Sequence, residues 1–140
     1  MTVLLDTGPL YAGADDTDRH HDACSELLRA LATGRELMLL PQPVLVETCW
    51  LLGRFVGPAA EADFLDLAAQ GQWEIAAPIA ADLTRAAELV RTYADFPLGS
   101  VDASVIAIAE RLGISRIATV DHRHFTAVRP RHIDAFVLLP

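Results

Sequence analysis

The 140-residue sequence contains no lysine. Its permanent positive charge rests on 11 arginines, set against 19 acids, for a net charge of −8. Such a balance argues against a protein that binds nucleic acid through bulk charge. It leaves room for a local site in which some of the acids hold cations. Cysteine is scarce as well. Cys24 and Cys49 show no zinc spacing, and a pair of this kind reads as reduced, buried thiols instead of a disulfide framework. Long apolar runs are missing: none approaches the ~18 residues that a membrane span needs. The first residues carry no basic n-region, and Asp6 interrupts their apolar run, so they do not read as a signal peptide. The expectation is a cytoplasmic protein. There is no internal repeat, no low-complexity tract and no linker long enough to divide domains, so one domain over 1–140 is expected.

What is present is apolar and helix-favouring. The chain is 52% hydrophobic, and Ala and Leu dominate. The stretch that organises it is Thr2-Val3-Leu4-Leu5-Asp6-Thr7-Gly8. A run that is apolar at every position suits a strand buried on both faces. Thr7-Gly8-Pro9 stops it. Asp6 is thereby set where a central strand leaves its sheet, the edge at which open α/β sheets bind ligands.

Further along, Leu10-Tyr11-Ala12 reads as a short helical turn, and Asp15 to Asp18 as a polar break with a helix cap. His20 to Ala32 has helical spacing and ends at Gly34. Leu37 to Leu40 is a second apolar strand, closed by Pro41. Helices are expected over Val44 to Phe55 and over 59–69. Trp73 to Ala76 is a weak third strand. Ala80 to Tyr93 and Val101 to Leu112 are helices, the latter with Ser100 as its cap. Arg116 to Val120 is a fourth strand closed by Asp121, and Phe136 to Leu139 a fifth. Strands alternating with helices call for an α/β fold with a mostly parallel sheet.

Four acids stand in apolar settings that have no need of charge. Asp6 and Asp121 each end a strand in the same fashion. If both strands are central and parallel, both carboxylates emerge at one edge. Glu47 falls on a face with Val44, Leu51 and Phe55, and Asp102 on a face with Val105, Ile106, Ala109 and Leu112. Taken singly, each could be a turn or first-turn acid stabilised by a helix dipole. Together they suit one acidic pocket, which is costly without a cation. Hard divalent cations favour oxygen ligands, and the natural chemistry is metal-assisted phosphodiester hydrolysis.

Leu4-Leu5-Asp6-Thr7-Gly8, Val46-Glu47, Val101 to Ala107 and Thr119-Val120-Asp121-His122-Arg123-His124-Phe125 resemble, in order, the successive motifs of a PIN-domain ribonuclease. The compact size is similar to that of VapC toxins of type II toxin–antitoxin systems. The resemblance implies a three-layer α/β/α fold with strand order 3-2-1-4-5. It implies a Mg²⁺-dependent endoribonuclease, with Mn²⁺ as a substitute, acting on tRNA or rRNA and leaving a 5′-phosphate and a 3′-hydroxyl. Asp6 and Asp102 would be the core metal ligands. Glu47 and Asp121 would complete the catalytic pocket directly or through water, and Thr119 would support it from behind. A VapB-type antitoxin would block the pocket, by way of an arginine in one arrangement, and a homodimer is the family expectation.

RNA would be gripped by Arg123, Arg129, Arg131 or neighbouring histidines, from the locally basic last quarter. His20, His21, His122 and His124 read as solvated surface and not as metal ligands. Trp50, Leu51, Leu52 and Phe55 cannot all point inward from one helix, so a dimer face or antitoxin groove competes there with plain core. Two phosphate-handling alternatives fail on single residues. A haloacid-dehalogenase-type phosphatase wants a second acid two positions after the first, where Gly8 stands. A phospho-receiver wants a late lysine, and there is none. A PIN nuclease of RNA processing and a catalytically silent PIN-like binding module remain as alternatives.

Overall fold

The computed structural model describes residues 1–140. Its centre is a sheet of five strands, all parallel, in the order β3-β2-β1-β4-β5. The strands are β1 (Thr2–Leu5), β2 (Leu37–Pro41), β3 (Glu74–Ala76), β4 (Arg116–Ala118) and β5 (Val137–Leu139). β1 lies in the middle, with Leu4 opposite Leu39 of β2 and Leu5 opposite Ala118 of β4. Val3, Leu4 and Leu5 are fully buried, as an uninterrupted apolar run requires.

Helices surround the sheet. They are α1 (Thr7–Ala14), α2 (His21–Thr33), α3 (Gln42–Phe55), α4 (Pro58–Ala69), α5 (Ala80–Thr92), α6 (Ser100–Leu112) and α7 (His122–Ala127). The connections β1 to β2 and β2 to β3 run one way across the sheet, and β3 to β4 crosses back. Right-handed crossovers therefore put the helices on both faces. The strand order reverses between β1 and β4, which opens a crevice beyond their carboxyl ends. α6 is the most deeply set helix: every residue from Ala103 to Ala109 is buried.

The structure departs from the sequence reading at three places near that crevice. Thr7-Gly8-Pro9 ends β1 but also opens α1, a full eight-residue helix and not a single turn. Proline is tolerated there because a first-turn N–H has no helical partner anyway. Gly8 is required: a Cβ at that position would meet Val120 Cγ2 at 2.3 Å. Second, β4 stops at Ala118, and residues 122–127 form α7, which is too short to show a helical period in the sequence. Third, α3 buries Val44, Thr48 and Leu52, leaving Phe55 exposed. Thr48 turns inward because its hydroxyl donates to the Val44 carbonyl at 2.7 Å.

Candidate metal centre and active site

Asp6 follows β1 and caps α1. Its backbone N–H donates to the Ala118 carbonyl at 2.9 Å, which ties the turn to the end of β4. The Asp6 side chain is buried, and its Oδ2 accepts from the Thr119 hydroxyl at 2.8 Å. That hydroxyl in turn accepts from the Asp121 N–H at 2.9 Å. Thr119 thus joins the two strand-end acids through one fully buried side chain.

Asp121 caps α7, with Oδ1 accepting from the His124 N–H at 3.2 Å. Asp102 lies in the first turn of α6, and Glu47 comes from α3. All four acids line one cavity of about 500 Å³ at the β1–β4 crevice. No arginine lines it. Burial, only partly offset by the Thr119 hydrogen bond, raises the Asp6 carboxyl to about 6, and the charges of Glu47 and Asp121 push the same way. Burial also raises Asp102 to about 7, followed by repulsion from Asp6; His124 opposes the rise. These carboxyls hold protons unusually tightly because they are buried beside other carboxylates, with hydrogen bonds and the one nearby imidazole offsetting only part of the cost.

Two histidines that the sequence reading had left at the surface belong to this region, His20 as a lining residue and His124 as a partner of two of the lining acids. His124 sits among the acids: its Nδ1 is 3.1 Å from Asp102 Oδ2 and hydrogen-bonds with Asp121 Oδ2. The spacing Asp121-x-x-His124 was the available signal, since a capping acid and the third helical residue share one side of a first turn. Phe96, from the loop before α6, packs edge-to-face on the His124 ring with centroids 5.1 Å apart. Arg123 lies over that Phe96, its guanidinium carbon 4.6 Å from the ring centre. Thr7 was also missed. Its hydroxyl is buried in the cavity wall with no protein partner.

The donor set suits a hard divalent cation. It offers carboxylate oxygens from four separate segments, with the proton affinities of Asp6 and Asp102 raised chiefly by burial and further by neighbouring carboxylates. The three basic residues expected to grip RNA lie outside the cavity lining. Arg123 is engaged with Phe96, and Arg131 pairs with Glu88 at 2.8 Å. The Arg129 N–H donates to the Tyr93 hydroxyl at 3.1 Å.

Residues 3–129 match the PIN domain family. The chain belongs to that family. It is 33% identical to Ribonuclease VapC26 of Mycobacterium tuberculosis over 138 residues, 99% of this chain and 100% of that protein. Its PIN fold is similar to the crystal structure of Mycobacterium tuberculosis VapC20, a sarcin-ricin loop cleaving toxin. The TM-score is 0.80 at 20% identity, covering 94% of this chain and 98% of that one. It is also similar to a chain of Rickettsia felis VapBC2 bound to a promoter DNA fragment, with a TM-score of 0.73 at 17% identity, covering 99% and 97%. The strand order 3-2-1-4-5 that the PIN resemblance implied is the order found.

Proposed function

We propose that this chain is a divalent-cation-dependent endoribonuclease and the toxin of a type II toxin–antitoxin pair, acting as one PIN domain over 1–140. The observation that carries the proposal is the convergence of Asp6, Glu47, Asp102 and Asp121 in one cavity that no arginine lines. Whole-length similarity to a VapC ribonuclease supports the same reading. Asp6 and Asp102 would be the principal ligands of Mg²⁺ or Mn²⁺, with Glu47 and Asp121 completing the set. A bound ion of this kind acidifies water and stabilises charge on phosphate oxygens.

The chain's own residues do the rest. Thr119 fixes the Asp6 carboxylate and, through the Asp121 N–H, the start of α7. The N-termini of α1 and α6 meet at the cavity, so their dipoles favour both the acids and an incoming phosphate. Hydrolysis forms a bond from water oxygen to phosphorus and breaks the bond to the 3′-oxygen. The products are a 5′-phosphate and a 3′-hydroxyl. The substrate class is tRNA or rRNA, with Arg123, Arg129 and Arg131 on the approach.

The partner is a VapB-type antitoxin, and the toxin itself pairs as a homodimer. Support comes from α3, whose Trp50 and Phe55 are 61% and 63% exposed. The groove beside Trp50 shares Glu47 with the acidic cavity, so a segment docked there reaches the acids. No helix is long and apolar enough to cross a membrane, and a cytoplasmic site of action fits RNA as the substrate.

The test is cleavage of total RNA by the antitoxin-free protein with Mg²⁺, Mn²⁺ or EDTA, beside Asp6→Ala and Asp102→Ala. Discrete cleavage that EDTA and both substitutions abolish is expected. Identical behaviour of wild type and variants across metals and RNAs overturns the nuclease and leaves a binding module.

A further inference from the structure

We infer that His124 supplies a nitrogen ligand to the cation centre, beside Asp102 and Asp121, and so biases the centre toward Mn²⁺ over Mg²⁺. The inference rests on the reading of the cavity as a cation-dependent nuclease centre. It adds a residue of a different chemical kind to the carboxylates.

Three observations carry it. The first is convergence. One ligand atom each from Asp102, Asp121 and His124 lies within 4.8 Å of the other two. Ligands of one small divalent ion stand roughly 3 Å apart when adjacent and about 4 Å apart when opposite. The group therefore needs only a small adjustment to close on an ion.

The second is orientation. His124 presents Nδ1 to the acids, 3.1 Å from Asp102 Oδ2. Asp121 holds that edge in place, since its Oδ1 accepts from the His124 N–H and its Oδ2 meets Nδ1 in the first turn of α7.

The third is support. Phe96 contacts the imidazole edge-to-face, and Arg123 in turn lies over Phe96. A ring braced in this way loses less freedom when it binds an ion.

The chemical consequence follows from ligand type. An all-oxygen set holds Mg²⁺ well, whereas imidazole favours the later first-row ions. With the proton on Nε2, Nδ1 offers its lone pair to the ion. The alternative role for the same contacts is an N–H that merely braces the two carboxylates. The two roles differ in whether nitrogen touches the ion.

Pulsed electron paramagnetic resonance of the Mn²⁺-loaded full chain reads this directly, because a coordinated imidazole imprints ¹⁴N modulation on the manganese echo. Loading is followed separately by calorimetry, and Mg²⁺ competition gives the affinity ratio. The expected result is nitrogen modulation in wild type and in His122→Ala, lost in His124→Gln. The Mn²⁺-to-Mg²⁺ affinity ratio should fall by roughly tenfold or more in His124→Gln. Stoichiometric Mn²⁺ without modulation in wild type overturns the inference and leaves the nuclease reading standing. So does modulation that persists in His124→Gln, or an unchanged ratio. Failure of wild type to take up Mn²⁺ at all overturns the cation centre itself. His20→Gln controls for the other imidazole of the cavity: modulation that survives it and His122→Ala is assigned to His124 even if His124→Gln fails to fold, and modulation that His20→Gln abolishes overturns the inference.

Discussion

α6 carries carboxylates of two kinds, one at each end. At its N-terminus Asp102 joins Asp6, Glu47 and Asp121 around a cavity with no arginine in its lining. At its C-terminal end Glu110 and Arg111 enter a network in which each acid has its own arginine. Arg111 grips the buried Asp82 with Nε and Nη2, both at 2.9 Å. Arg85 forks onto Glu110 at 2.8 and 3.2 Å, and Arg131 reaches Glu88. The paired acids bind α5 to α6 and to the segment after α7. The cavity acids have no arginine among them: Asp6 is met by the Thr119 hydroxyl, and Asp102 and Asp121 share the single imidazole of His124. A folded chain tolerates such crowding where a ligand relieves it. Partnering with arginine, more than burial, separates the acids that hold α5 to α6 from the acids of the cavity.

The sharpest way to break this contrast is to neutralise one acid of each kind. Asp102→Asn should lower RNA cleavage by on the order of 10²- to 10³-fold. It should leave the cation-free protein no less stable, which thermal melts beside cleavage rates will show. Asp82→Ala should do the reverse. It strands Arg111 and removes the acceptor of the Ile79 N–H at the start of α5, at a cost of roughly 2–4 kcal/mol. Cleavage per folded molecule and Mn²⁺ affinity should stay within about twofold of wild type. If Asp82→Ala loses activity while folded, or Asp102→Asn unfolds the chain, the division between the two ends of α6 is wrong.

A smaller effect comes from pH. The folded-state carboxyls of Asp6 and Asp102, at about 6 and about 7, lie above the ordinary value of 3.8. Between about pH 4 and 7 the native chain therefore holds more protons than the unfolded one. The stability tied to those protons is fully present below that window and is lost as pH rises through it. Cation-free wild type should lose roughly 1–3 kcal/mol relative to Asp102→Asn between pH 4.5 and 7.5 in denaturant titrations. Saturating Mg²⁺ should cancel the difference at pH 7.5, and EDTA should restore it. A pH-independent gap between the two proteins would mean that burial among the other acids does not raise the Asp102 carboxyl in the fold.

The four pocket acids were legible because each interrupts a run that has no other use for charge. Asp6 ends Val-Leu-Leu, and Asp102 opens a helix that is buried from Ala103 to Ala109. The strand order followed from the resemblance those same motifs carry. His124 left one signal in the sequence, the Asp121-x-x-His124 spacing, and its place among the acids was otherwise hidden for a physical reason. Its ring is placed by a six-residue helix with no period to read and by Phe96 from a distant loop. Thr7 was hidden in the same way, since an unpartnered hydroxyl is a property of the assembled wall and not of any motif. The misphased face of α3 has a local cause. Thr48 satisfies its hydroxyl on Val44 and occupies a core position that a hydropathy pattern gives to something apolar. Phe55 is then left outside.

The smallest expected effect falls on the outermost member of the arginine network. Arg131 and Glu88 keep 63% and 45% of their side chains exposed, so their ion pair is screened by solvent. Arg131→Ala should change stability by no more than about 0.5 kcal/mol, because Glu88 stays hydrated when its partner is removed. The backbone N–H of residue 131 still donates to Glu110, so the segment keeps its place. The substitution therefore separates the two roles open to Arg131. If it only decorates the network, cleavage rate and RNA affinity stay put. If it also grips RNA, KM for RNA rises severalfold, and the dependence of log affinity on log salt becomes shallower by about one counterion. A stability loss well above 1 kcal/mol would place Arg131 with Arg111 among the groups that hold α5 to α6. The boundary between fold-holding and acting charges would then have to be drawn further out on the surface.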